Sequence, residues 1–404
     1  MAGNLGTGSS GAGRLGVAIL PLAIAETLLW AGLYYVFAAL LPAWEADFGW
    51  SRGEISGAFT ASLVVMAILG PRMGRFIDRG YGRTLFLGAS VAGAGLLVLL
   101  GFVQELWQFW AVWIAIGAVN ACILYEPLFA ILTVTLGSRA RSGITTVTLV
   151  AGFAGTVCFP SFFWLSEAFG WQGAVWVYAG ITLIVSVPMA WWGFRLVEPH
   201  RAPPAETPPV RGGEARAALR KVAFWGLALG FGTAGLSHSM VITHIRPLLD
   251  EAGLAMATAV LVASMIGPMQ VVGRLAMVAL GSRLSAFGAM MSAFAGILMG
   301  VTALLLAGFA PWLAVAFVLP YGAAHGGFSI VRPVLTADFL GRAGFGVVYG
   351  MVAMPYTLGA AAGPLVAAWI WEGAGSYGPM LWLSIGLTVL GWCALMVARA
   401  RATT

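Results

Sequence analysis

Charge is the scarcest property of this sequence. Of 404 residues only 9% are charged, 60% are hydrophobic, and lysine occurs once, at Lys221. A soluble domain carries roughly a quarter of its residues as charges. Too little polar sequence remains here to cover a soluble core of this size. Cysteine is almost as sparse: Cys122, Cys158 and Cys393 lie inside apolar blocks, with no metal-type spacing or disulfide framework, and read as buried structural thiols. No phosphate-binding G-x-x-x-x-G-K-[ST] loop occurs, which counts against the ATP-driven class. No nucleophile–base arrangement points to an enzyme, and no cofactor is expected. The net charge of +6 sits at the ends of apolar blocks and forms no long cluster, so nucleic acid is not an expected partner.

What is present is long apolar runs, many near the roughly 20 residues that cross a bilayer as a helix. Twelve spans are expected, at 17–42, 54–74, 84–103, 108–136, 143–166, 171–194, 221–247, 256–280, 286–308, 311–338, 345–372 and 378–398. Arg72, Arg75, Arg79 and Arg83 follow span 2, Arg139 and Arg141 follow span 4, Arg283 span 8, Arg342 span 10, and Arg399 and Arg401 span 12. The opposite loops carry mostly acids: Glu45, Asp47, Glu105, Glu167, Asp250, Glu251 and Glu372. By the positive-inside rule both termini are cytoplasmic. The apolar block after Arg14 is too long for a cleavable signal and reads as the first span. The expected setting is a bacterial inner membrane, with the lipid bilayer as partner and a monomer as the working unit.

The expected organisation is a Gly/Ser-rich tail at 1–16, a six-helix bundle at 17–194, a Pro- and Gly-rich polar linker at 195–220, a second six-helix bundle at 221–398, and a tail at 399–404. The halves repeat one another in parallel. Span 1 ends "LLPAWEADFG" and span 7 "IRPLLDEAGL"; span 4 carries Glu126-Pro127 and span 10 Arg332-Pro333; "AFGWQGAVW" after span 5 answers "GAGSYGPMLW" after span 11.

Between spans 2 and 3 the chain reads "GRFIDRGYGR", with Gly74, Asp78, Arg79, Gly82 and Arg83. This resembles the G-x-x-x-D-R-x-G-R loop of the major facilitator superfamily, one residue longer before the second Gly. The second half keeps only "GRLAMVALGSR", without the Asp. The resemblance covers the whole chain. It implies an all-α membrane fold of twelve transmembrane helices in two pseudo-symmetric six-helix bundles, a transporter working by alternating access, and a latching role for Asp78 beside the loop arginines. A Gly pattern that facilitator antiporters carry in helix 5 stands here in span 11, as Gly350, Gly359 and Gly363-Pro364. Physically it reads as a tight helix contact.

An ionisable group in hydrocarbon is costly, so each is a functional candidate. They gather on spans 1, 4, 7 and 10, which the resemblance places around the central cavity: Glu26, Glu126, His238, His244, Arg246, His325 and Arg332. Trp30, Asn120 and His325 fall near the midplane, with Tyr34, Tyr125 and His238 close to it, and these with Arg332 are the substrate-contact candidates. Gly322 and Gly326-Gly327 are read as leaving room beside the His325 imidazole. Glu126 and Arg332 are expected to pair across the pseudo-twofold axis as an inner gate, with substrate-carboxylate binding by Arg332 and proton carriage by Glu126 as compatible roles. Glu26 reads as a proton carrier or a paired acid, Arg274 as a snorkelling residue or an inward anion ligand, and His244 with Arg246 as intramembrane functional candidates or as a solvated helix end.

The stretch "FGWSRGEISGAF", with arginines on spans 8 and 10, is similar to the monocarboxylate porter and oxalate:formate antiporter branch. The acid-Gly-aromatic signature of eukaryotic carriers is absent from "LLWAGLYYVF", and span 11 has no Lys to pair with Arg274. One cation with histidines fits a monoanion carried with a proton. The alternatives are a proton-antiport efflux carrier for amphipathic compounds, which 17 Trp and 16 Met would suit, and a metal or metal-chelate carrier drawing on the intramembrane histidines, although no ligand-spaced metal site is apparent.

Overall fold

The computed structural model describes residues 8–201, 214–280, 283–341 and 345–402. The first residues of the expected N-terminal tail, most of the linker, Arg342 and the side chains of Arg75, Asp78 and Arg141 lie outside the described residues. Among them the chain is helical. Ten stretches are long and apolar enough to cross a bilayer, from Leu15–Phe48 to Gly378–Arg401. One of them, Gly143–His200, covers two expected spans. It is divided at Gly170, whose φ of 71° no regular helix admits. The expected seventh span is a helix, Val222–Thr243, but it is not among the ten. Ser237, His238, Ser239 and Thr243 make it more polar than its neighbours, and all but His238 are buried.

Contacts divide the chain into two compact units, residues 1–40 with 64–207, and 41–63 with 208–404. The helical hairpin end at 41–63 thus groups with the second unit rather than with the rest of the first six expected spans. In the first unit, Gly8–Trp30 packs on Ala140–Ala151 and Val187–Val197, and Gly82–Leu100 packs on Leu106–Ile123 and Ala154–Ile181. In the second, Val222–Thr243 packs on Phe345–Ala374 and Gly378–Ala402, and Val318–Leu340 packs on Met256–Leu280 and Ala286–Leu305.

Glycine sets the closest of these approaches. A Cβ on Gly326 would overlap the Gln270 carbonyl, and one on Gly273 would overlap the Ala323 carbonyl. Helices 256–280 and 318–340 therefore touch backbone to backbone, as small residues permit in membranes. Gly359 and Gly363 seat in the same way against Gly232, Leu236 and Ser239, so that part of the displaced glycine pattern is a helix-contact surface.

Two spans that read as continuous are interrupted. Leu106–Ile123 ends at an extended Leu124, and a new helix, Tyr125–Leu136, begins with Pro127 as its third residue. Val222–Thr243 ends at His244, and Ile245–Glu251 begins with Pro247 as its third residue. Proline is tolerated in a first turn, where its missing N–H is not needed. By contrast Val318–Leu340 runs unbroken through Arg332-Pro333. In local geometry the counterpart of Glu126-Pro127 is therefore Arg246-Pro247.

Candidate functional site

In the first unit the site begins at a π-helical turn, Ala31–Tyr35. Such a turn inserts a residue into the helical ladder and is frequent at functional positions. The Nδ2 of Asn120 donates to the Leu33 carbonyl at 2.9 Å, so Asn120 braces this turn from the neighbouring helix. Glu26 lies one turn before, fully buried. Its Oε1 accepts from Trp30 Nε1 at 2.9 Å, while Oε2 has no partner among the described residues. Trp30 stands 4.7 Å from both Tyr34 and Tyr125, and Tyr125 stacks on Phe129 at 5.1 Å. The sequence candidates Glu26, Trp30, Tyr34 and Tyr125 are thus one cluster: an aromatic wall with a single carboxyl behind it. Glu126 lies exposed in the first turn of Tyr125–Leu136, where the helix dipole favours a negative charge.

In the second unit His238 and His325 stack with ring centroids 4.0 Å apart. Tyr321 joins them, its hydroxyl 3.1 Å from His238 Nδ1 and its ring 4.3 Å from that of His325. The Nδ1 of His325 faces the Tyr321 backbone carbonyl at 2.9 Å. A carbonyl only accepts, so Nδ1 carries the proton, and in the neutral ring Nε2 is a bare lone pair. That Nε2 is buried without a partner. Two turns on, the Arg332 guanidinium lies 4.1 Å from the Tyr356 ring and 5.5 Å from that of Phe328, a cation–π arrangement. Its Nε is buried and unpartnered. The glycines beside His325 do not leave it room. Gly322 and Gly326 are filled by the approach of residues 266–270, and Gly327 by Met277. Arg274 is buried at 5% exposure, which places it away from the solvated end that snorkelling would need.

A second polar cluster in this unit escaped the sequence reading. Ser51 and Glu54 form a reciprocal capping box that starts the helix Arg52–Phe76, visible in the sequence as "SRGE". This puts Arg52 in the first turn. Its guanidinium pairs with Glu45, lies 3.7 Å from the Trp371 ring and donates from Nη1 to the Tyr377 hydroxyl at 2.8 Å. Glu372 accepts from the Gly53 amide at 2.6 Å, and Glu251 from the Tyr377 amide at 2.9 Å. His244, fully buried, meets Tyr377 Oη at 2.8 Å and the Pro364 carbonyl at 2.9 Å. Arg246, also buried, stands 4.0 Å from Asp250. A solvated helix end is therefore not the setting of either. Glu45, Glu251 and Glu372 had registered only as loop acids setting orientation.

The facilitator-type loop forms a tight turn. Gly80, at φ 89°, reverses the chain before Gly82–Leu100 begins, and a Cβ on Gly82 would strike Ile131. Arg79 is exposed, and Gly74 and Arg83 are half-buried. Arg83 lines a cleft with Glu198 and Arg201, which pair with each other at 2.7 Å.

Comparison with known proteins agrees with this architecture. The family model described as Major Facilitator Superfamily matches residues 22–364. The chain is similar to "Monocarboxylate transporter 12-B" of Danio rerio, 24% identical, covering 74% of this chain and 69% of that protein. Among solved structures it resembles the nucleoside transporter NupG at a TM-score of 0.70 and 15% identity, covering 94% of this chain and 98% of that one. It also resembles a bacterial homologue of the human lysosomal transporter Spinster, in an inward-facing and occupied form, at a TM-score of 0.63 and 16% identity over 96% of each chain. At such identities these structures speak for the fold alone. With the family model spanning most of its length, this chain belongs to the Major Facilitator Superfamily and is a multi-pass membrane transporter that works by alternating access.

Proposed function

We propose that the transporter carries a small organic monoanion, a monocarboxylate, together with a proton. The observation that carries this reading is Arg332. It is a cation on a membrane helix, it lies against aromatic rings of its own unit, and its Nε has no partner among the described residues. A guanidinium so placed offers a fork of donors to a carboxylate. Glu26 supplies a proton site, since a buried carboxyl with one donor bond is costly as an anion and is neutralised by a proton on Oε2. The similarity to a protein named as a monocarboxylate transporter points the same way.

The test is uptake into proteoliposomes with an imposed pH gradient, beside a thermal-shift panel of carboxylates, dyes and metal ions. Monocarboxylates should stabilise the protein, their uptake should follow the proton gradient, and Arg332→Gln should abolish both responses. Stabilisation by hydrophobic cations alone would sink the carboxylate reading. It would support the second reading, efflux of amphipathic compounds by proton antiport, which the aromatic wall of Trp30, Tyr34, Tyr125 and Phe129 favours. The metal-carrier reading has less support: among the described residues no group of three or more His, Cys, Asp or Glu is placed to hold a metal ion.

Two further roles belong to this proposal. Glu126 and Arg332 each serve an inner gate, and the Gly74–Arg83 loop acts as a cytoplasmic latch. The protein works as a monomer in a bacterial inner membrane; both termini are cytoplasmic, a placement that the arginine distribution between loops supports.

A further inference from the structure

Two buried polar atoms of opposite kind lie on one helix of the second unit. Among the described residues His325 Nε2 is an acceptor without a donor, and Arg332 Nε is a donor without an acceptor. Their positions differ by seven residues on the unbroken helix Val318–Leu340, two turns apart on the same face and about 10 Å along the axis. Between them on that face stands the exposed Ser329, whose hydroxyl donates to the Gly326 carbonyl at 2.9 Å. The flanks are rings: Tyr321 and His238 beside His325, and Tyr356 and Phe328 beside Arg332.

An unmet buried acceptor is costly, and only a proton donor relieves it. The two orphan atoms therefore ask for different ends of one ligand. Arg332 asks for an anion, His325 Nε2 for an O–H or N–H. A two- or three-carbon acid is too short to serve both, even with the reach of the arginine side chain. A planar ring between the two ends would stack on the imidazole and phenol rings that line the interval.

We infer that the preferred substrate is a monocarboxylate bearing an aromatic ring and, at the end remote from the carboxylate, a hydroxyl or other hydrogen-bond donor. Arg332 holds the carboxylate and His325 Nε2 accepts from the distal donor. This rests on the carboxylate reading above and narrows it.

The experiment measures binding of three probes to the detergent-purified full chain by calorimetry: 4-hydroxyphenylacetate, phenylacetate and acetate. The hydroxylated acid should bind about tenfold more tightly than phenylacetate, the worth of one hydrogen bond to a buried acceptor. Acetate should be weakest. In His325→Phe, which keeps the ring and removes the acceptor, the preference for the hydroxyl should fall to about one while phenylacetate still binds. The probe panel on the unaltered protein is decisive by itself if that variant does not fold. Equal binding of all three acids overturns the inference and leaves the carboxylate reading standing. Retention of the hydroxyl preference in a folded His325→Phe also overturns it. Binding of none of the three, with hydrophobic cations binding instead, overturns the carboxylate reading itself.

Discussion

The hydroxyl of Tyr377 donates its proton to Nδ1 of His244 across 2.8 Å, and the direction of that bond is fixed by the far side of the imidazole. There Nε2 faces the Pro364 carbonyl at 2.9 Å, which can only accept, so the ring proton is on Nε2 and Nδ1 is the acceptor. On its other side the Tyr377 oxygen accepts from Arg52. The result is a directed chain, Arg52 to Tyr377 to His244 to Pro364. Burial pushes the Tyr377 phenol well above its ordinary value, against the pull of Arg52, which keeps it a donor throughout the physiological range.

Tyr377→Phe keeps the ring over which Arg52 lies and removes the link in the chain. His244 Nδ1 is then a buried acceptor without a donor, at a cost of about 1–3 kcal/mol. Thermal unfolding in detergent should show a clear drop in Tm. Phe substitution at the exposed Tyr81 is the control and should leave Tm unchanged. Nitrogen NMR of labelled His244 should report a protonated Nε2 and a bare Nδ1.

Arg52→Lys keeps the charge and loses the geometry. A lysine ammonium cannot pair with Glu45, reach the Tyr377 hydroxyl and lie flat on Trp371 at once, as the guanidinium does. The substitution should destabilise nearly as much as Arg52→Gln. Equal stability of the Lys variant and the unaltered chain would show the charge alone to be sufficient.

Gly326→Ala drives a methyl into the Gln270 carbonyl, whereas Gly350→Ala meets nothing within 4 Å. The first should cost several kcal/mol, in the range of overpacked cores, or prevent folding. The second should be neutral. Expression level and Tm of the pair check both.

Glu26→Gln keeps a hydrogen-bond acceptor for Trp30 Nε1 and removes the titrating group. If Glu26 carries the coupled proton, uptake should lose its dependence on the pH gradient while counterflow exchange survives. A variant whose uptake still follows the gradient would assign the proton elsewhere.

The fold was legible from hydropathy and glycine because the bilayer demands both: apolar length for each span, and small residues where helices must touch. The grouping of Glu26, Trp30, Tyr34 and Tyr125 in one unit, and of His238, His325 and Arg332 in the other, followed from placing rare polar residues on the right helices. The interruptions were not legible. "YEP" and "VRP" look alike in sequence, but the chain breaks before Glu126 and runs straight through Arg332. A residue before proline is only biased against the helix, and packing decides. The Arg52 cluster was missed because its members come from three loops far apart in sequence. Glu45, Glu251 and Glu372 by themselves looked like marks of sidedness. The one local signal was the "SRGE" cap.

The break at Leu124 has a consequence for the backbone. In a continuous helix the Ile123 carbonyl would accept from residue 127, which is proline and has no N–H to give. The Thr243 carbonyl stands in the same relation to Pro247. Ile123 and Thr243 are both buried in the protein, so any donor to either oxygen comes from outside that helical bond. Each unit thus carries a span whose helical ladder is cut at a proline, and a cut ladder is where a helix can bend.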